Sequence, residues 1–181
     1  IPRCINTLNP FKGKEGSMST GAYAFLYFGD TEQLLPAIEA VQDLPELHAW
    51  HAVDGHYHLA LTLQDGGDAV RQNLETLSGL QQLLFCPVER ELRGGFTVES
   101  EPTYAWLTME IERDKEDAVM MALDALPTEQ LRVLAAGTCG AVAVAEGPTF
   151  EAIDRLVDAQ IRPLDGVLRV KRDWIIDLTQ I

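Results

Sequence analysis

A chain of 181 residues, 46% hydrophobic, carries enough apolar material for one large core or two small ones. With 14 basic against 28 acidic residues and a net charge of -14, it lacks the surplus of cations that phosphate binding demands, so no nucleic acid is expected as a partner. No apolar run approaches the ~18 to 20 residues of a membrane span and no signal-peptide pattern opens the chain, so the expected setting is cytoplasmic, without a membrane partner.

The N-terminal segment 1–19 reads differently from the rest. IPRCINTLNPFKGKEGS has no hydrophobic period, and Gly16-Ser17 stand directly before Met18, as in a fused peptide joined to an initiator methionine. The alternative is an arm that packs through Ile5, Leu8 and Phe11. The three cysteines, Cys4, Cys86 and Cys139, are scattered and lack CxxC spacing, which argues against a disulfide framework and a zinc knot. Cys86 and Cys139 read as small strand hydrophobes.

From residue 20 onward one pattern occurs twice. AYAFLYF (22–28) returns as TYAWLTM (103–109), and each copy leads into a helical segment closing on Leu-Pro, at Leu44-Pro45 and Leu126-Pro127. Gly55 and Gly137 stand at equal distances beyond those leucines, and the units close on Leu-Ser-Gly-Leu (77–80) and Leu-Asp-Gly-Val (164–167). In chain order the first copy predicts a strand at 22–28 and a helix over 32–42 capped by Thr31. A strand follows at 47–53, then Asp54-Gly55 as a two-residue turn, a strand at 56–63, a helix over 68–78 and a strand at 80–88. The second predicts strands at 103–111, 130–135, 138–145 and 167–176, with helices over 114–126 and 149–161. The order is βαββαβ twice. The expected fold class is therefore α+β: a first ferredoxin-like unit at 20–92, a linker at 93–102 and a second unit at 103–181. The two units form an intramolecular pseudo-dimer with sheets packed face to face. Edge strands 47–53 and 167–176 leave backbone groups to pair, which predicts a homo-oligomer.

All four histidines lie in LHAWHAVDGHYHL, residues 47–59. With Asp54-Gly55 as the turn, Val53 stands opposite His56, Ala52 opposite Tyr57, His51 opposite His58 and Trp50 opposite Leu59. His48, Trp50, Ala52, Tyr57, Leu59, Leu61 and Leu63 then share the helix-covered face. Ala49, His51, Val53, His56, His58, Ala60 and Thr62 share the other, with His51 and His58 a cross-strand pair. Leu131, Val133, Ala135, Thr138, Gly140, Val142 and Val144 make the matching, mostly apolar face of the second copy.

Gly55-His56-Tyr57-His58 and Leu164-Asp165-Gly166-Val167 resemble the hairpin and closing motifs of the Lrp/AsnC ligand-binding domain (the RAM, ACT-like domain), here in two copies and without a DNA-binding helix-turn-helix. The resemblance departs where His58 replaces the motif's Asp and where Cys139-Gly140 stand in the second copy. It implies a non-enzymatic regulatory or accessory module that binds a small-molecule ligand or another protein at Trp50, His51, Asp54, Gly55, His56, Tyr57 and His58. No catalytic residue is fixed by spacing, so an enzyme is not the first expectation. The alternative is a small enzyme of the dimeric ferredoxin-like kind, a cofactorless monooxygenase or a haem-modifying protein, using His51, His56 and His58. Three imidazoles on one face could hold a metal or haem, although no cofactor is firmly implied. The plain structural reading is a set of polar rings near a hairpin tip.

Overall fold

The computed structural model describes residues 19–177; the expectations for residues 1–18 lie outside the described residues. The architecture is α+β, eight antiparallel strands and four helices, and the strands close into a barrel in the order β1-β3-β2-β8-β5-β7-β6-β4. The strands are β1 (Ala22–Phe28), β2 (Leu47–Asp54), β3 (Leu59–Leu63), β4 (Leu80–Arg93), β5 (Thr103–Ile111), β6 (Leu131–Gly137), β7 (Gly140–Gly147) and β8 (Val167–Ile175). The helices are α1 (Leu34–Gln42), α2 (Asp68–Glu75), α3 (Glu116–Asp124) and α4 (Phe150–Leu156), the last continued by a π-helical turn over Val157–Ile161. Each half follows the expected βαββαβ order.

Alternation along the strands sorts the side chains into three cores. Ala22, Ala24, Leu26 and Phe28 of β1, with Leu59, Leu61 and Leu63 of β3, meet Ile38, Val41, Val70 and Leu74 of α1 and α2. Ala105, Leu107 and Met109 of β5 meet Met120, Leu123, Ile153 and Val157 from the other helix layer. The opposite parity, Tyr23, Phe25, Val53, Ala60, Tyr104, Trp106, Val133, Ala135, Val142 and Val144, fills the barrel. The inner faces of the halves thus share one continuous core, which corrects the expected pair of units with sheets packed face to face. Hydrogen-bonded seams join their edges, β2 to β8 and β4 to β6.

Those seams correct the expected edges. Val53 pairs with Ile175 and Asp54 with Trp174, so the strands expected to seek another chain meet each other. At the second seam β4 runs on to Arg93. Its guanidinium donates to the Leu131, Leu126 and Asp124 carbonyl oxygens, closing the C-terminal end of α3. Gly137 lies so close to the Pro87 carbonyl that a β-carbon would collide with it, which explains glycine where β6 meets β4.

Smaller differences have local causes. Asp30, not Thr31, caps the first helical segment by accepting the Glu32 N–H, so a short 3-10 turn over Thr31–Gln33 precedes α1 and Pro36 falls in its first turn. Leu131 turns to the helix side because the register shifts between Leu131 and Val133.

Cys86 and Cys139 are joined in a disulfide, not packed as free hydrophobes, a bond characteristic of oxidising compartments. It ties β4 to the β6–β7 hairpin across a separation of 53 residues, for which loop closure gives a stabilisation of about 4 kcal/mol. Reductant should therefore lower the melting temperature by roughly 8 to 16 °C, and a Cys86→Ala/Cys139→Ala variant should show no such response. Two reactive thiols at these positions in non-reduced protein, found by alkylation and peptide mapping, would refute the bond.

Candidate active site

Inward parity on β5 and β8 defines the site. Along β5 the series Tyr104, Trp106, Thr108 and Glu110 runs from one mouth of the barrel to the other, and register sets Asp173 opposite Trp106, Lys171 opposite Thr108 and Arg169 opposite Glu110. At the Tyr104 mouth, the connection from β4 to β5 drops Phe96 onto the core. Its ring stacks on His51 with centroids 5.1 Å apart, lies 5.8 Å from Tyr104 and meets Trp106 edge-on at 5.8 Å. His51, Trp106, Phe25 and Tyr57 continue as a chain of rings at 6.0, 5.6 and 5.6 Å.

The residues expected to form the site are dispersed. His51 enters the barrel interior as expected. The turn after β2 is longer than two residues, since Val53 donates to the His58 carbonyl and Ala52 pairs with Leu59, which puts His51 opposite Ala60, not His58. The cause is Asp173, 117 residues away from His56 in sequence. Its Oδ1 accepts the backbone N–H groups of His56 at 2.5 Å and Tyr57 at 2.9 Å. Gly55, with φ of +154°, permits this wrap, because a β-carbon there would lie 2.7 Å from both the Arg172 carbonyl and Asp173 Oδ1.

Tyr57, expected on the helix-covered face, is drawn into the barrel core instead. His58 leaves the barrel: its Nδ1 accepts the Phe28 N–H at 3.0 Å, and its ring stacks on Tyr27 at 4.8 Å. The His56 side chain is about half exposed, its Nδ1 4.0 Å from Asp173 Oδ2. Trp50 packs on the helix-side core, and Asp54 is exposed at the seam. Thr108, Lys171, Asp173 and Phe96 were missed. Their one sequence signal is parity: Thr108 and Asp173 share an inward period with apolar neighbours.

Four polar atoms on this inner surface are shielded from solvent and hydrogen-bond to nothing among the described residues: His51 Nδ1, Trp106 Nε1, Thr108 Oγ1 and Asp173 Oδ2. Burial lowers the His51 pKa to about 4, leaving a neutral imidazole at physiological pH. Burial raises that of Asp173, against the opposing pull of the Tyr57 and His56 N–H groups.

No family model matches the chain, and no curated protein does. Solved structures do. The siroheme decarboxylase NirDL aligns with a TM-score of 0.64 at 12% identity, over 86% of this chain and 71% of that one, and has also been solved in co-complex with an iron-uroporphyrin III analogue. Chlorite dismutase from Candidatus Nitrospira defluvii, in complex with imidazole, aligns with a TM-score of 0.57 at 14% identity, over 90% of this chain and 94% of that one. At such identities the likeness establishes the ferredoxin-like α+β barrel fold alone. It corrects two expectations all the same. The two proteins matched are themselves enzymes, a decarboxylase and a dismutase, which tells against the expected non-enzymatic module and the expectation against an enzyme. Neither protein is an Lrp/AsnC regulator, so that resemblance holds only at the level of the ferredoxin-like unit.

The described residues do not fit an iron tetrapyrrole. A tetrapyrrole iron needs one free axial ligand, yet His58 Nδ1 is committed to the Phe28 N–H, His56 stands beside Asp173 at the surface, and the His51 ring is stacked under Phe96. The cleft at the Lys171 mouth measures about 80 Å³, far below the roughly 300 Å³ at which pockets for drug-sized ligands begin. A larger groove of about 290 Å³ along α1 is lined by Pro36, Ala37, Ala40, Thr76, Leu77 and Ser78, which offer no iron ligand.

The two buried groups give opposite pH dependences. Unfolded, His51 takes up a proton near its ordinary 6.5; folded, only near 4, so acidification across that window favours the unfolded chain. Stability should fall as pH drops from 6.5 to 4, and His51→Gln should flatten that fall. Asp173 protonates more readily when folded, so its share is lost as pH rises above the ordinary carboxyl range. Denaturant titrations of Asp173→Asn should show a shallower decline there. Identical profiles for parent and both variants would contradict these environments.

Proposed function

We propose that the chain is an internal pseudo-dimer of ferredoxin-like halves working as a small enzyme, with the barrel interior as its reaction chamber. The carrying observation is the set of three unpartnered polar atoms on the inner surface, at His51, Trp106 and Asp173. Buried polar groups in native proteins are hydrogen-bonded in all but a few cases, and three around one interior call for an occupant. Tyr23, Phe25, Tyr104 and Trp106 offer that occupant ring faces and edges, which suits a planar, conjugated small molecule. Phe96, stacked on His51 and edge-on to Trp106, holds the place its ring would take.

Of the enzyme classes expected from sequence, this favours the cofactor-independent oxygenase over haem chemistry. His51, held neutral, accepts a proton from the substrate through Nδ1. An imidazole whose conjugate acid has a pKa of about 4 is a weak base, so the proton must come from an acidic O–H, such as an enol or an activated phenol. Trp106 Nε1–H is placed to donate to the resulting anion inside a low-dielectric interior. Such an anion is electron-rich enough to reduce dioxygen, the co-substrate this reading requires: a carbon–oxygen bond forms, the peroxide takes back the proton held by His51, and loss of water leaves one oxygen atom on the substrate as a carbonyl.

Oxygen uptake should be measured with a panel of small hydroquinones, activated phenols and enolisable diketones. Turnover is expected with at least one, and His51→Gln should lower kcat by about 10²- to 10⁴-fold. Undiminished turnover in that variant would sink the assignment. Adding hemin to the protein should give no saturable Soret shift.

A further inference from the structure

Beyond the chamber, we propose that the mouth opposite Phe96 is a binding site for a small oxyanion, held by Lys171, Arg169 and the Thr108 hydroxyl. The inward parity that ends the aromatic series on β5 places Thr108 beside Lys171 and Glu110 beside Arg169. These four, with Tyr57, Leu84, Met109 and Cys139, line the cleft of about 80 Å³. Two features mark it as built to receive something. Thr108 is only 7% exposed, yet its Oγ1 has no hydrogen-bond partner among the described residues. Among the described residues neither Lys171 nor Arg169 makes an ion pair, in a chain of net charge -14 where carboxylates outnumber cations two to one. Most other arginines are paired, with Glu75, Asp117, Asp124, Glu146, Asp158 or Asp154. Lys171 Nζ donates to the Tyr57 hydroxyl at 3.5 Å, and the ammonium stands 5.6 Å from that ring's centroid.

Charge and size together define the ligand class. Two cations face one lining carboxylate, Glu110, which is exposed at the rim, and the neighbouring Asp173, which Lys171 also reaches electrostatically, is pushed by burial toward its neutral form, so the lining is positive on balance. A hydroxyl and an ammonium side by side present hydrogen-bond donors to an oxygen-bearing anion. The cleft is smaller than the roughly 150 Å³ cavity that accepts benzene, so the ligand is of acetate or phosphate size. Trp106 and Phe25 stand between this mouth and the ring of Phe96, which makes the oxyanion site separate from the place of the proposed ring substrate.

The test is calorimetric titration of the full chain with sodium acetate and, separately, sodium phosphate, with chloride at matched ionic strength and neutral acetamide as controls. Saturable binding of one oxyanion is expected. Lys171→Met and Thr108→Val should each weaken it at least tenfold, and Arg169→Gln should weaken it less. Because Arg169 is exposed, its variant tests the charge without disturbing the core. Binding no stronger than chloride, acetamide binding as well as acetate, or undiminished affinity in all three variants would overturn the site. None of these readouts involves turnover, so failure here is distinguishable from failure of the oxygenase reading.

Discussion

The β2–β8 seam is the narrowest closure in the barrel, and one buried carboxylate completes it. Two paired positions and the Ile176 N–H to the Ala52 carbonyl make up its backbone bonding. Asp173, on the inward face of β8 and fully buried, then takes the N–H groups of His56 and Tyr57 on one oxygen. Those two bonds lengthen the turn beyond two residues and swing Tyr57 into the interior, where it meets Phe25. The position of the Tyr57 hydroxyl over the Lys171 cleft depends on the same wrap. An asparagine could accept both N–H groups without a buried charge, so the second, unpartnered oxygen is the part of Asp173 that structure alone does not require.

The second seam is closed by other means, and the difference makes the two mouths unlike. β4 and β6 share four paired positions, the Arg93 side chain reaches the carbonyls that end α3, and a disulfide clamps the hairpin beyond. Gly137 allows that approach just as Gly55 allows the wrap around Asp173, so the two glycines aligned by the repeat serve two different contacts. The connection between halves leaves β4 at the Tyr104 end and caps that mouth with an aromatic ring. At the other end β8 supplies alternate cations. A chain with two like halves thus acquires an apolar entrance and a cationic one.

Much of this was legible in the sequence. The repeated AYAFLYF and TYAWLTM segments identify the element order of both halves, and strand parity sorts Val53, Ala60, Val133, Ala135, Val142 and Val144 into the shared interior. What local pattern could not supply was the register after Asp54, because turn propensity favours a two-residue hairpin while the deciding partner lies on β8. The same holds for the disulfide, whose cysteines show no telling spacing, and for the barrel seams, which arise from strands that are edges within each half. Four histidines in one short stretch suggested a cluster. Tertiary bonding separates them, with His58 committed to the Phe28 N–H and His51 to the interior.

The dispersal of the imidazoles also changes which chemistry the interior can support. A bare metal ion needs several convergent donors, and dispersed rings do not supply them. A single neutral imidazole among aromatic rings suits proton transfer, provided that water is kept away and the substrate is acidic enough to yield to a weak base. The Phe96 ring meets the first condition, since it covers His51. It can do so only from a connection able to turn sharply, and Gly95, with φ of +73° and open space around its α-carbon, stands directly before it. The ring that packs on His51 and the glycine that lets it do so are adjacent in sequence, on the segment joining the two halves.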